Sequence, residues 1–343
     1  MPVASTAPRR SRRAVAVAAL LAVTAACERE QASPGAGTTS AAPAAPATTA
    51  SSVATASRPA PWWRAPDGGA APEAVRLDPL AHKLYLAELC HLGALGLRHF
   101  RDGYLASLGG AEPGPGRVPQ LDAGGRADYE RMGHDCARAT KAREPALPAV
   151  DEALASLTPA ALELAQSYVL GSGYYRGAQP ARDGFARGRL LHGRIAAASA
   201  RLDELGDALG AAMERHRREH APDLAALAPG ERLAQTARDA VRALVLSLAS
   251  ARPSAPGSGT LLARAEAALG PLAAWAAEHP DDPWSRTAAS CRAALEAARA
   301  ARPATGSGRA GGPTLLAAVV SLTTAVDAHH HAAAAARLGR GGG

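Results

Sequence analysis

Two apolar stripes at helical spacing, separated by a short run of glycine and proline, constrain this chain more than any other feature. The first reads Val150, Leu154, Leu157, Ala161, Leu164, Tyr168, Gly171, Tyr175; the second reads Leu191, Ile195, Ala198, Leu202, Leu205, Leu209, Ala212. Steps of three and four residues keep one seam of a helix turned toward a partner helix. The stretch between them, GSGYYRGAQPARD, carries helix breakers. The pattern therefore predicts two long helices, about 147–176 and 184–220, folded back on each other as an antiparallel coiled-coil-like hairpin.

The rest of the body reads the same way. No segment alternates apolar and polar residues over the length of a strand. Helices are predicted near 77–108, 230–250, 260–278, 284–300 and 313–337, with another through Tyr129, Met132, Cys136 and Ala139 that ends before Pro145. On the first of these, Leu86, Cys90, Gly93, Leu97, Phe100 and Tyr104 share a stripe. Asp282 and Pro283 before Trp284 have the chemistry of an N-cap and a first-turn proline. The glycine- and proline-rich runs GGAEPGPGRVPQ, RPSAPGSG and RPATGSGRAGG separate these elements. Aromatic residues make up only 3% of the chain, so packing must rest on leucine and alanine. The expected fold class is all-α: an elongated helical bundle over 77–338, with 339–343 a disordered tail.

The head of the chain is of another kind. Arg9, Arg10, Arg12 and Arg13 precede the apolar run AVAVAALLAV, which exits through Thr24, Ala25 and Ala26 into Cys27. A basic region, an apolar region of roughly a dozen residues and a small-residue exit form an export signal. The run is shorter than the about 20 apolar residues that span a bilayer. Val23-Thr24-Ala25-Ala26-Cys27 resembles a lipobox, although Thr24 replaces the usual leucine. The expectation is cleavage after residue 26 and a lipid-bearing Cys27; the alternative is an ordinary secretory signal with an incidental cysteine. Ser11-Arg12-Arg13-Ala14-Val15 more weakly resembles a twin-arginine signal.

Residues 27–76 are dominated by alanine, proline, serine and threonine. Such composition cannot bury enough apolar area to offset ordering entropy. It predicts a disordered leash with a reach of about 40 Å. Trp62 and Trp63 interrupt it near the start of the body, where docking on that body is favoured over a seat at the membrane interface. Four of the 38 basic residues lie ahead of Cys27, which leaves 34 against 31 acidic ones. That near balance gives no electrostatic footprint for nucleic acid.

Of the remaining cysteines, Cys90 and Cys136 fall on apolar stripes of consecutive helices. They read either as a disulfide worth about 4 kcal/mol or as two buried thiols. Cys291 lies on the stripe Trp284, Ala288, Cys291, Leu295, Ala298 and reads as a small hydrophobe. The chain has neither a CxxC pair nor a zinc-ligand spacing, so neither metal nor cofactor is predicted.

The stretches HKLYLAELCHLG, YERMGHDCARA and GYYRGAQPARDGFARGRLLH resemble the YiiG-like family of bacterial lipoproteins of unknown function, over about residues 79–250. The resemblance implies a lipoprotein signal, a low-complexity tether and an α-helical body. By position, the family's paired cysteines match Cys90 and Cys136, and its paired tyrosines match Tyr174 and Tyr175, followed by Asp183 and His192. The C-terminal AHHHAAAAARLGRGGG departs from the family's polar ending. The resemblance implies a location and a fold, with no activity attached.

Tyr174, Tyr175, Asp183 and His192 surround the hairpin turn and form the candidate cluster. A buried histidine with a carboxylate partner is a potential general base; the competing and favoured role is a hydrogen-bonded fastening of the turn. His216 and His220 stand four residues apart, but HRREH lacks the HExxH arrangement and arginines crowd it. That favours a solvated helix end over a metal pair. His329, His330 and His331 offer ligands for a stray transition metal, a role that reads as incidental in alanine-rich sequence. Together these features predict an exported envelope protein, anchored to a membrane by lipid and acting through a binding or structural role, with an envelope protein as a candidate partner. A lipid or small-ligand carrier, or a hydrolase using the Tyr174–His192 region, is the alternative. The residue after Cys27 is Glu28 rather than aspartate, which tilts the placement toward an outer membrane, facing the periplasm, where the cell has one, and otherwise toward the outer face of the cytoplasmic membrane.

Overall fold

The computed structural model describes residues 78–119, 121, 126–249, 258–301 and 312–341. The expected signal, Cys27, Trp62, Trp63 and the tether lie outside the described residues. Among those that are described, nine helices and no strand are present: α1 Pro79–Leu108, α2 Arg126–Lys141, α3 Pro148–Arg176, α4 Gln179–Arg182, α5 Ala186–Glu219, α6 Pro229–Ala249, α7 Ser258–Glu278, α8 Trp284–Ala301 and α9 Gly312–Gly341. The fold class is all-α, and α3 and α5 form the predicted antiparallel hairpin. Their stripes are buried in one seam, including Leu157, Leu164, Tyr168, Ile195, Leu202 and Leu209.

The predicted starts hold for chemical reasons. Asp78 accepts a hydrogen bond from the Leu80 amide at 3.0 Å and caps α1, which has Pro79 in its first turn. Asp282 does the same for Trp284 at 2.8 Å. Each satisfies an amide that the helix itself leaves unpaired. Most boundaries fall within two residues of expectation, and two features depart further. The hairpin turn is not wholly irregular, because Gln179–Arg182 forms one helical turn of its own. At the other end, α9 runs on to Gly341 rather than stopping at 337. The alanine run Ala332–Ala336 has the highest helix propensity and propagates the helix past the expected end.

α1 is the hub. Every residue from Leu86 to Leu97 is buried, as befits a helix enclosed on all sides. One side, with Leu86, Cys90, Leu97, Phe100 and Tyr104, enters a core shared with α2, α3 and α5. The opposite side, with Leu89, Leu92 and Leu95, enters a second core built by α6, α7, α8 and α9. A disulfide joins Cys90 on α1 to Cys136 on α2. Cys291 is a buried thiol of the second core, and burial pushes it up to about 12.

A fully buried ammonium reinforces the first core. Lys83 Nζ donates to the carbonyls of Arg143 at 2.9 Å and Pro145 at 2.7 Å, and to Asp151 Oδ2 at 2.9 Å. Asp151 Oδ2 also accepts from the Leu147 amide at 2.9 Å. One lysine thus ties the α2–α3 connection and the start of α3 to α1.

Candidate functional site

The predicted cluster is assembled at the corner where α3, α4 and α5 meet, but with other partners than the sequence suggested. Asp183 ends α4 and turns back onto α3, where its Oδ1 accepts from Tyr174 Oη at 2.8 Å. Its Oδ2 accepts from the Arg187 amide at 3.3 Å, so it also steadies the start of α5. The Tyr174 hydrogen bond holds the Asp183 carboxyl below its ordinary range. Tyr175 Oη donates to the Gly188 carbonyl at 3.2 Å. Gly188 permits that approach, since a Cβ there would lie 2.9 Å from Tyr175 Oη and 3.2 Å from Tyr174 Cε1. Tyr174 is the buried phenol of the pair, while Tyr175, the residue on the predicted seam, is half-buried.

His192 meets neither Tyr174 nor Asp183. Its Nδ1 lies 3.0 Å from Oη of Tyr104, a residue 88 positions away at the far end of α1. The imidazole–carboxylate pair of the general-base alternative is not formed; an imidazole–phenol pair stands in its place, in keeping with the favoured role as a fastening of the turn. Burial pushes the Tyr104 phenol up, and pushes that of Tyr175 up to about 12, so both keep their protons at neutral pH. The hydroxyls and carboxylate of this corner fasten three helices together. Phe185 completes it: at φ 64° it is the only non-glycine residue with positive φ among those described, and it directly follows Gly184 at 57°. Such a conformation costs a bulky residue about 1–3 kcal/mol. Its ring is buried, and it lines an apolar groove of about 470 Å³ with Pro115, Val118, Tyr175 and Pro180.

The histidines singled out by spacing fall into place as packing. The His216 and His220 rings stack 4.3 Å apart, and His220 Nδ1 lies 3.1 Å from the His216 carbonyl at the end of α5. His329 and His330 are buried in the packing of α9. His329 is buried beside Trp284, with ring centroids 5.0 Å apart. His330 stacks on Tyr85 at 3.9 Å, and its Nε2 lies 3.4 Å from His82 Nδ1. His331 is exposed and faces Asp327 at 3.6 Å. The alanines around them let α9 approach its neighbours closely, which encloses the bulkier rings. Among the described residues, no three His, Cys, Asp or Glu side chains converge as metal ligands.

A second site is not apparent from the sequence. Over α1, between α5 and α6, lies a cleft of about 390 Å³. α5 packs on α1 and α3, whereas α6 packs on α7, α8 and α9, so the cleft marks the seam between the two cores. Each helix contributes residues at helical spacing: His91 and Leu95 from α1, Asp207, Gly210, Ala211 and Glu214 from α5, Arg242 and Leu246 from α6. Residues three, four and seven apart share one helix face.

An ion network closes the back of this cleft. The Glu88 carboxylate, only 4% exposed, accepts from Arg242 Nε at 2.7 Å and lies 3.0 Å from Arg217 Nη2. Burial alone would raise this carboxyl; Arg217, Arg242 and Arg238 outweigh it and bring the group down to about 2. Arg242 Nη1 reaches Glu214 Oε2 at 3.4 Å, near the outer limit of a hydrogen bond. His91, 7% exposed, stands next to this network. Its Nδ1 is buried with no hydrogen-bond partner among the described residues. Its Nε2 edge lies against Gly210, where a Cβ would come within 2.8 Å. Burial, then the charge of Arg242, bring the imidazole down to about 4, so it is neutral at pH 7. The signal in the sequence is the run LAELCHLGALGL, residues 86–97, in which Glu88 and His91 are the charged and imidazole side chains of an otherwise apolar stretch.

The chain matches no protein-family model, no curated protein and no solved structure. Among the described residues, no helix is long and apolar enough to cross a membrane.

Proposed function

We propose that this is an exported, lipid-anchored protein of the cell envelope whose helical body works by binding a small molecule in the cleft between α5 and α6. The observation that carries the binding reading is the lining of this cleft, where a buried, neutral imidazole, His91, whose Nδ1 has no partner among the described residues, stands with a guanidinium and two carboxylates. Buried polar groups in folded proteins are nearly always paired, and an orphan calls for an explanation. Envelope location rests on the basic and apolar head and on the small-residue exit into Cys27, together with the resemblance to YiiG-like lipoproteins. Binding is favoured over hydrolysis because the corner residues Tyr174, Tyr175, Asp183 and His192 are engaged with each other, with Tyr104 and with backbone groups.

Native mass spectrometry of the full chain, extracted in mild detergent, tests the binding reading. The expected spectrum carries a small-molecule excess beyond the chain and its acyl groups, and Ala211→Trp, which fills the cleft from an exposed position, removes it. A clean mass, or an excess indifferent to Ala211→Trp, overturns the cleft reading and returns the body to a role in protein contact. Cys27→Ser tests the anchor separately: the protein leaves the membrane fraction and acyl labelling stops. Labelling that persists sinks the assignment.

A further inference from the structure

The chemistry of the same cleft narrows the ligand; this inference rests on the small-molecule reading above. The floor supplies polar atoms, because among the described residues Arg242 Nη1 is held only by its 3.4 Å contact to Glu214, and the His91 ring edge faces Gly210 on the wall. The α5 rim supplies acceptors. Asp207 engages Arg98 through Oδ1 alone, and Glu214 engages its arginines through Oε2 alone. Asp207 Oδ2 and Glu214 Oε1 have no partner among the described residues, and these side chains are 61% and 48% exposed. Leu95 and Leu246 add apolar area.

A simple anion reaching Arg242 would have to pass the two rim carboxylates. A simple cation pairing with the rim would sit next to a guanidinium. A molecule with both charges pairs with each, and a short apolar group then covers the leucines. The volume, about 390 Å³, falls at the small end of the range for small-molecule sites, about 300–1,000 Å³. We propose that the cleft recognises a small zwitterion of the amino-acid type, with its carboxylate on Arg242 and the His91 ring, its ammonium on Asp207 or Glu214, and an apolar side chain against Leu95 and Leu246.

The test is calorimetric titration of the full chain with four probes: L-leucine, the dipeptide Leu-Leu, leucinamide, which lacks the carboxylate, and 4-methylpentanoate, which lacks the ammonium. Leucine or Leu-Leu should bind, and each probe missing one charge should bind at least about tenfold more weakly, the worth of one charged hydrogen bond. Asp207→Asn combined with Glu214→Gln, both at exposed positions, should weaken leucine or Leu-Leu at least about tenfold and should tighten rather than weaken 4-methylpentanoate; a pair of substitutions that leaves leucine and Leu-Leu unaffected refutes the zwitterion. The His91 ring ¹⁵N resonances should shift on binding. If leucinamide or 4-methylpentanoate binds as well as leucine, the zwitterion is wrong and the small-molecule reading stands. The zwitterion is also wrong, and the small-molecule reading again stands, if no probe binds while the native mass keeps an excess that Ala211→Trp removes. If no probe binds and the native mass is clean, both fall together.

Discussion

Acidification should unfold this protein in part through one histidine, and the size of the effect follows from the His91 environment. The free imidazole titrates near 6.5, and burial beside Arg242 brings His91 to about 4 in the folded chain. Above 6.5 the ring is neutral in both states and the linkage is silent. Below it, the unfolded chain takes up a proton that the folded chain refuses, so stability falls with pH until the folded ring titrates near 4. At 1.36 kcal/mol per pH unit, the loss is about 2 kcal/mol at pH 5 and about 3 kcal/mol at pH 4. Glu88 acts at lower pH and in the same direction: its depressed carboxyl loses its contribution as pH falls from the unfolded value near 4.5 through about 2. The assay is urea unfolding of the oxidised protein at pH 7, 6 and 5, with His91→Gln alongside. His330, also lowered to about 4, contributes to both proteins, so the His91 share is the difference between them. The variant should lose about 2 kcal/mol less between pH 7 and pH 5. Equal slopes in the two proteins would mean that His91 titrates as it does in water, and the reasoning from burial and charge would fail.

Lys83→Met should cost about 3 kcal/mol, the lower end of the range for breaking a buried ion pair, because Asp151 is 36% exposed. Asp151→Asn should cost less, and a double-mutant cycle in urea should show coupling between the two; additive losses would contradict the geometry. Replacing both Cys90 and Cys136 by serine should cost about 4 kcal/mol and leave helical circular dichroism at neutral pH unchanged, with a midpoint indifferent to reductant.

The helices were legible because their cause is local. Spacing of leucine and alanine fixes which face is buried, and Asp282 announces its helix start by side-chain chemistry alone. The bridge between Cys90 and Cys136 was within reach for a similar reason, since both lie on stripes of consecutive helices. The corner was legible in position and not in pairing. Tyr174 and Asp183 are nine residues apart and meet because α4 folds one turn between them. Tyr104 meets His192 through the packing of α1 on α5, and nothing in their neighbouring residues signals it. The cleft was hidden for the same reason: its walls come from three helices, each showing only a pair or a stripe that a solvated face would also show. Glu88 and His91 alone betray it, as polar side chains within the stretch Leu86–Leu97 of α1, which is buried throughout.

The double burial of α1 governs the order in which the protein can be finished. α1 is the first helix of the described body to leave the ribosome, and Leu89, Leu92 and Leu95 wait for partners on α6 to α9. The last of these carries His330 onto Tyr85 and Leu316 into the first core. A nascent chain that stops after α5 therefore holds a finished hairpin with a bare leucine face beside it. That intermediate is adhesive, and it persists for as long as the second half takes to arrive. Conditions that slow the arrival of α9, or deletions that remove it, should be read as aggregation rather than as loss of a site.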